Sequence, residues 1–373
     1  MTASGAARHL RPRPDVFDGG GAAEAEYARD VWHAAVLGIP ARRGRSTARF
    51  SAIRQLWLRE AIKRWSRFRL GAGYAFTSID TGAQALARFS LFLAEHPEVR
   101  GFRHVTRELL EDCFVWMTSK SEWSANTRHH TLTFVKVFLD WGHRHGTLPG
   151  LPTNAVVYEE EVSRPADRLP KFVPEFVMRQ LETETNLAKI ENPTVRHLVV
   201  VLMETGLRGG DACALPFNPI VEDSVGWPCL RFDNTKVATE QLIPISAKAA
   251  EAIRAQQAHV RASFPNGSTW LFPGIMDNID GQKPYAHDSL SCQLRKWQAR
   301  IDLRDEAGER VSVHAHQFRH TVGTRLINAG VPQHVIQKLL GHSSPRMTAR
   351  YANPRELRPT RGGLLTNRAE CRW

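Results

Sequence analysis

Six residues in the second half of the chain carry side chains that can act together on a phosphate group. An arginine guanidinium binds phosphate through two parallel hydrogen bonds, and a lysine or histidine can move a proton during a reaction. Each of the six, read alone, also fits an ordinary structural role, so the interpretation depends on their order and local context. They are Arg208, Lys236, His316, Arg319, His342 and Tyr351.

The first two of these residues lie in predicted turns. Arg208 occurs in ETGLRGGDACAL, where one helix ends and the next begins, so the turn presents the guanidinium at a defined position. Lys236 occurs in DNTKVATEQLIPIS, at the turn of a predicted hairpin, where an ammonium can reach into a groove and donate a proton. The structural alternatives are a surface arginine after a helix end and an ordinary hairpin lysine.

His316 and Arg319 form an HxxR pair in VHAHQFRHTVGTRL. Residues three apart on a helix share one face, so the imidazole and the guanidinium can point at one ligand. The neighbouring His320 lies about a third of a turn away and is predicted to face another direction. The structural alternative for His316 is a histidine whose hydrogen bonds are satisfied at the start of a helix.

His342 and Tyr351 lie in the last predicted helices of the chain. In VIQKLLGHSS, Gly341 ends a helix and leaves His342 at a corner between two helices. Tyr351 follows nine residues later, after PRMTAR. A tyrosine beside an arginine at the end of a short helix is usually half-buried packing, and this alternative stays open for Tyr351.

In this order and in these contexts, the six residues resemble the tyrosine recombinase (phage integrase) family. The resemblance covers residues 170–355 closely and is carried by GLRGGD, the HxxRHT helix, the LLGHSS corner and the final tyrosine. Several motifs in one order are much more specific than any one of them. Asp211 is a departure, because relatives commonly carry glutamate there, and we expect its carboxylate to keep a structural role with a shorter reach.

The resemblance implies that the chain cuts and rejoins DNA strands without a metal ion or a nucleotide. The two arginines would hold the non-bridging phosphate oxygens, and His342 would add a hydrogen bond to the same group. Tyr351 would attack the phosphate and form a 3′-phosphotyrosyl intermediate. His316 is the candidate base for the tyrosine proton, and Lys236 would give its proton to the departing 5′ oxygen.

The same resemblance implies duplex DNA as the partner. It also implies a homotetramer acting on two DNA sites, with or without other recombinases and accessory factors. Two further functions stay open at this point. One is a type IB topoisomerase-like enzyme, which uses the same chemistry on supercoils as a monomer. The other is a DNA-binding regulator that has lost catalysis.

Three amphipathic helices predict an all-α first domain over residues 46–147. Apolar residues recur in them at spacings of three and four, which is typical of helices that pack one face inward. The resemblance implies that this domain is the small, SAM-like domain with which the family clamps DNA. The predicted helices span residues 77–96, 104–119 and 124–143.

The second domain, over residues 172–357, is predicted as mostly helical with a small antiparallel sheet, so the fold class is mainly α. Two short apolar strands, 229–233 and 242–245, flank the polar turn that contains Lys236. Prolines and weak apolar periodicity predict irregular structure elsewhere. These segments are a loose extension over 1–45 with a short helix over 23–37, a linker over 148–171, and a tail over 358–373.

The chain carries a formal net charge of +12, from 50 lysines and arginines against 38 aspartates and glutamates. Such an excess indicates a polyanionic partner, most often nucleic acid. It is densest over residues 42–69, which fits either a basic helix on a phosphate backbone or a solvated charged face. The candidate DNA contacts are Arg54, Lys63 and Arg64 in this stretch, and Arg128, His129, His130 and Lys136 on the helix after Ser124.

Composition excludes several classes of protein. Hydrophobic residues make up 42% of the 373 residues, which is too many for a wholly disordered chain. No apolar run reaches the ~18–20 residues of a membrane span. The five cysteines form no CxxC pair and the histidines form no HExxH motif, so we expect free thiols, no metal site and no cofactor. The N-terminus lacks an apolar signal core, so we expect a cytoplasmic, nucleoid-associated protein.

Overall fold

The computed structural model describes residues 20–39, 46–162, 171–234, 239–274, 276, 278–342 and 344–349. The chain divides into two units, Met1–Asp167 and Arg168–Trp373, and each has its own hydrophobic core. Helices supply most of both cores, which confirms the predicted mainly α fold class.

The described part of the first unit is a helical cluster with a two-stranded antiparallel sheet, in which Trp32 pairs with Ala48. The cluster also contains two single turns of 3₁₀ helix, Phe102–His104 and Glu159–Glu161. Its helices and strands are α1 (Gly20–Ala28), β1 (Val31–His33), β2 (Thr47–Arg49), α2 (Leu56–Gly71), α3 (Phe76–Leu93), α4 (Arg107–Ser119) and α5 (Ala125–His145).

Local sequence signals fix the ends of α5. The Ser124 hydroxyl accepts a hydrogen bond from the Thr127 amide at 3.1 Å and so caps the first turn. Gly146, with φ at 60°, ends the helix in the left-handed conformation that glycine adopts at little cost. Between these ends, one apolar face that includes Val135 and Phe138 is buried in the core of the first unit.

The predicted loose extension over residues 1–45 is wrong for residues 20–39. This segment forms α1 and β1, and the helix predicted over 23–37 is present only as far as Ala28, because α1 spans Gly20–Ala28. Trp32 is 1% exposed and its ring centroid lies 4.5 Å from that of Phe50. Burial of two aromatic rings stabilises the segment, although a three-residue strand is too short to show a period in the sequence.

The predicted linker over 148–171 also differs from the structure in its first part. Leu148, Ala155, Val157 and Val162 are buried in the core of the first unit. Arg107 of α4 donates a hydrogen bond to the carbonyl of Val156 at 2.8 Å. Residues 148–162 therefore belong to the first unit, because the apolar side chains between the prolines find a core to pack against.

The second unit combines helices with a three-stranded antiparallel sheet in the order β3-β4-β5. Its helices are α6 (Glu175–Glu182), α7 (Glu184–Leu187), α8 (Pro193–Thr205), α9 (Gly209–Cys213), α10 (Ala247–Ser263), α11 (His287–Arg300), α12 (Ala315–Asn328), α13 (Gln333–Leu339) and α14 (Pro345–Ala349). Its strands are β3 (Ile220–Glu222), β4 (Pro228–Asn234) and β5 (Thr239–Pro244). Within the described residues, no helix combines the length and the apolar character needed to cross a membrane.

Helix α8 is the central element of the second unit. The Asn192 side chain caps its start by accepting from the Val195 amide at 3.2 Å, and Gly206, with φ at 62°, ends it. Nine of its thirteen residues are buried, and it packs against α10 and α12. A buried helix of this kind gives the turn that follows it a fixed position, and that turn carries Arg208.

Candidate active site

Arg208 lies between α8 and α9, and its side chain is 19% exposed. Its Nη1 donates a hydrogen bond to Oδ1 of Asn234 at 2.9 Å, and its Nη2 donates to the carbonyl of Gly341 at 3.2 Å. The buried Asp211 places Oδ2 3.5 Å from the same Nη1. The guanidinium is therefore held in place from three elements while part of it stays open to a ligand.

Arg319 lies on α12 and is only 3% exposed. Its Nη1 donates to the carbonyl of Gly206 at 3.1 Å, and its Nη2 donates to the carbonyl of Leu340. These two carbonyls belong to the residues that follow α8 and α13, where helices leave backbone acceptors unsatisfied. One guanidinium thus joins the ends of two helices that converge on the site.

His342 follows Gly341 at the corner between α13 and α14 and is 8% exposed. Its amide donates to the carbonyl of Gln337 at 2.9 Å, and its Nδ1 lies 2.9 Å from the hydroxyl of the buried Thr348. Gly341 has a φ of 57°, which glycine allows and other residues rarely adopt. The corner therefore fixes both the backbone and the ring of the histidine.

Burial lowers the pKa of His342 from 6.5 to about 3, and the neighbouring charges of Arg319 and Arg208 add to the effect. His320 and His316 lower it further, so all four groups lie close enough to act on this ring. His342 is therefore neutral at pH 7. The structure brings together the four predicted site residues that it describes: Arg208, His316, Arg319 and His342.

His316 is exposed at the start of α12, and its ring centroid lies 4.7 Å from that of His320 at an angle of 82°. The prediction that His320 faces another direction is wrong. Residues four apart on a helix share a face, so His320 lies beside His316. Two histidines, rather than one, therefore border the site on α12.

Lys236 and Tyr351 fall outside the described residues, so their roles stay predictions. Strand β4 ends at Asn234 and β5 begins at Thr239, and Lys236 lies in the sequence between them. Tyr351 follows α14, which ends at Ala349. Within the described part of the chain, no cluster of three or more His, Cys, Asp and Glu side chains could hold a metal ion.

Residues 171–358, which contain the whole predicted site, match the model of the phage integrase family. The chain belongs to this family. It is 29% identical over 339 residues to transposase B of transposon Tn554 from Staphylococcus aureus. The alignment covers 88% of this chain and 51% of the transposase. The chain therefore spans about half the length of that relative.

Two further integrase-family comparisons cover most of the chain. Tyrosine recombinase XerC of Rhodospirillum centenum is 27% identical, over 79% of the chain and 82% of the relative. A crystal structure of a lambda integrase dimer bound to a COC′ core site aligns with a TM-score of 0.58 and 14% identity, over 82% of this chain and 79% of that one. At this identity the structural alignment shows a shared fold.

Sequence reasoning missed Asn234 and His287 next to the integrase motifs. Asn234 accepts from Arg208, as described above. The His287 ring packs on Gly209, where an added Cβ would lie 2.8 Å from two ring atoms, so the first glycine after Arg208 leaves room for that ring. Strand alternation could have placed Asn234 on the inner face of the sheet, but no local pattern indicates its partner.

The structure separates the DNA-contact candidates on α2 and before it. Lys63 is 5% exposed and donates to the carbonyl of Ala28 at 2.9 Å and to Glu60 at 3.0 Å, so the prediction that it contacts DNA is wrong. Arg64 is exposed and donates to the carbonyl of Thr147 at 3.2 Å. Arg54 is exposed, and its backbone amide is bonded to a serine of α3.

The four candidates on α5 are half-buried or exposed. Arg128 donates to the carbonyl of Trp123 at 2.6 Å, and Lys136 pairs with Asp140 at 2.7 Å, so both have partners within the first unit. His130 is exposed, and the half-buried His129 lies beside it with ring centroids 5.7 Å apart. These four residues stay proposals as DNA contacts.

Acidification is expected to destabilise the second unit through His342. In the unfolded chain this histidine accepts a proton near pH 6.5, whereas in the folded chain it stays neutral until about pH 3. Below pH 6.5 the unfolded state therefore binds the extra proton, and stability falls by about 2 kcal/mol between pH 7 and pH 5.

Hydrogen exchange of the α8 amides, corrected for intrinsic exchange rates at each pH, measures this change in the full chain. The non-titrating variant His342→Gln is the control, because it keeps a polar side chain at the corner. We expect the wild-type chain to lose about 2 kcal/mol more than the variant over this interval. Parallel pH dependence in the two proteins would contradict the assignment.

Proposed function

We propose that the chain is a site-specific DNA recombinase of the integrase or transposase type. It would cut and rejoin DNA strands through a 3′-phosphotyrosyl intermediate, without a metal ion or ATP. The observation that carries this proposal is the convergence of Arg208, Arg319 and His342 on one corner of the second unit. Membership of the phage integrase family supports the same conclusion.

The two guanidinium groups would stabilise the charge that develops on the scissile phosphate. Fixed donors are effective in such a role because they need no reorganisation when the reaction occurs. Bonds from Arg208 and Arg319 to backbone carbonyls supply this fixation. His342 would add a neutral donor: if the hydroxyl of Thr348 donates to Nδ1, the ring proton is on Nε2 and can bond a phosphate oxygen.

The covalent step is proposed to use Tyr351 and Lys236, which lie outside the described residues. The hydroxyl oxygen of Tyr351 would attack phosphorus and form the phosphotyrosyl bond while the bond to the 5′ oxygen breaks. His316 would accept the tyrosine proton, and Lys236 would protonate the departing 5′ oxygen. Because one phosphodiester replaces another, a second 5′ hydroxyl can reverse the step without an energy source.

Duplex DNA is the proposed substrate, and four protomers acting on two sites are the proposed assembly. The net charge of +12 favours a polyanion, and the lambda integrase of similar fold is a dimer on a DNA core site. Exchange between two duplexes requires cuts at two places in each, so one protomer for each cut gives four. Such an enzyme would work on cytoplasmic DNA of the nucleoid, with or without accessory recombinases.

Covalent trapping on DNA tests the proposed function. The full chain is incubated in EDTA with a pool of randomised duplexes that each carry a nick. Where the nick lies close to the cut, the short fragment that bears the new 5′ hydroxyl diffuses away, so the covalent adduct cannot be reversed. We expect an adduct that survives boiling in SDS and is removed by protease, and sequencing of the trapped DNA identifies the cut site.

If the chain binds and enriches particular duplexes but forms no adduct, catalysis is contradicted. The chain would then be a DNA-binding regulator without catalytic activity. An adduct that forms only after magnesium is added would contradict the metal-free mechanism. With the selected site in hand, exchange between two copies distinguishes a recombinase from a topoisomerase-like enzyme, which would relax plasmids without exchanging strands.

A further inference from the structure

Asn234 is a buried amide at the end of β4 and is 1% exposed. In the sheet it pairs with Thr239 of β5, and it alternates with the buried Phe232 along its own strand. A polar side chain in such a place is costly unless its hydrogen bonds are made. The partners of Asn234 therefore indicate why an amide is present there.

The Asn234 amide connects two parts of the candidate active site. Its Oδ1 accepts from Nη1 of Arg208 at 2.9 Å, and its Nδ2 lies 3.5 Å from the carbonyl of Gly341. The same carbonyl accepts from Nη2 of Arg208 at 3.2 Å. One amide, one guanidinium and the carbonyl just before His342 thus form a closed triangle of contacts.

The packing around this triangle leaves little room for other arrangements. A Cβ on Gly341 would overlap the Gln241 amide and lie 2.7 Å from Nδ2 of Asn234. Oε1 of Gln241 is buried beside the triangle and has no hydrogen-bond partner among the described residues. The sheet therefore packs closely against the corner that carries Gly341.

A neutral acceptor suits this position for an electrostatic reason. The carboxylate of Asp211, 3.5 Å from Nη1, already offsets part of the charge on Arg208. A second carboxylate would offset more of it and weaken the attraction to phosphate. An amide oxygen fixes the orientation of the guanidinium and leaves its remaining charge for the ligand.

We infer that Asn234 is a positioning residue for the cleavage reaction. It holds the guanidinium of Arg208 and the carbonyl before His342 in one arrangement. The side chains of Arg208 and His342 can then bind the same phosphate. This inference rests on the proposed function, because it assigns Asn234 a role only through the phosphate that Arg208 would bind.

The test compares Asn234→Ala with the wild-type chain in single-turnover cleavage of the selected duplex. Loss of a hydrogen bond to a charged group is expected to slow cleavage on the order of 10- to 100-fold, with DNA affinity within about twofold. Asn218→Ala is the matched control, because Oδ1 of Asn218 accepts from Gln257 at 3.1 Å, at a position exposed to solvent. This control is expected to cleave at the wild-type rate.

A substrate with a methylphosphonate at the cut site separates positioning from a general structural effect. The methyl group replaces one charged oxygen, so the diastereomer that lacks the oxygen facing Arg208 no longer needs that guanidinium. On it, the deficit of Asn234→Ala relative to wild type is expected to shrink to about threefold or less. The same deficit on the phosphate and on both methylphosphonates, or no deficit at all, would overturn the inference.

If Asn234→Ala does not fold, Asn234→Asp takes its place, because it has nearly the same shape. Its added charge is expected to slow cleavage of the phosphate substrate and to matter much less on the neutral one. Failure of the proposed function is distinguishable, because the wild-type chain would then form no adduct. A wild-type adduct with an equally active Asn234→Ala would overturn only the role of Asn234.

Discussion

Replacing Tyr351 with phenylalanine is expected to abolish covalent attachment to DNA and to leave DNA affinity within about twofold of wild type. The substitution removes one oxygen, and that oxygen would form the bond to phosphorus. Phenylalanine keeps the aromatic ring, so folding should be unaffected. Gel electrophoresis in SDS measures the adduct, and titration of a labelled duplex measures the affinity.

Tyr158→Phe is the matched control for this experiment. Tyr158 is an exposed tyrosine of the first unit, and its replacement is expected to leave the yield of adduct unchanged. Covalent DNA attached to the Tyr351→Phe chain would remove Tyr351 from the role of nucleophile. Mapping the attached peptide would then show which residue had formed the bond.

Arg319→Ala is expected to slow DNA cleavage on the order of 10²-fold or more, because a proposed donor to the transition-state phosphate would be lost. It should also lower stability, since the carbonyls of Gly206 and Leu340 lose a donor in a buried place, at about 1–3 kcal/mol each. Single-turnover cleavage measures the first effect and thermal unfolding measures the second. Arg319 would therefore act in both the chemistry and the architecture of the site.

Two other arginines separate these effects. Arg325 lies on the same helix and pairs with Glu175 and Glu182 at 2.7 Å, so Arg325→Ala should lower stability while cleavage stays near the wild-type rate. Arg208→Ala should slow cleavage to a similar degree with a smaller loss of stability, because Arg208 is 19% exposed. Undiminished cleavage by the Arg319→Ala chain would contradict its assignment.

Arg319→Lys asks whether charge alone is sufficient. A lysine ammonium is a point charge on a flexible chain, whereas the guanidinium presents donors in a fixed fork. The guanidinium reaches the two carbonyls from separate nitrogens, whereas the ammonium must donate from a single nitrogen, so we expect this variant to stay close to Arg319→Ala in cleavage rate. Recovery of the wild-type rate would show that charge alone is sufficient.

Local features of the sequence were enough to predict most helices and the fold class. Helix α5 begins after the Ser124 cap and ends at Gly146, because capping and left-handed glycine act within one turn of the helix. The order of motifs was enough to identify the family and to select Arg208, Arg319, His316 and His342. The roles of Lys236 and Tyr351 rest on that order alone.

The sequence pattern does not predict the role of a side chain whose bonding or packing partner is distant in the sequence. Lys63 is predicted as a DNA contact, but its ammonium donates to the carbonyl of Ala28, 35 residues earlier. Arg59 of the same helix pairs with Asp30, so acids that precede the basic stretch offset part of its charge. Residues 148–162 and much of 20–39 are predicted as irregular, because the apolar partners of their side chains lie elsewhere in the chain.

The sequence by itself determined which side chains could perform the chemistry, because residue type and order are carried by the chain directly. Only the tertiary structure decided how they are held. Arg208 and Gly341 are 133 residues apart, yet they share a hydrogen bond, and Asn234 touches both. Such contacts depend on how α8, β4 and α13 pack, and packing is a property of the whole core rather than of any local pattern.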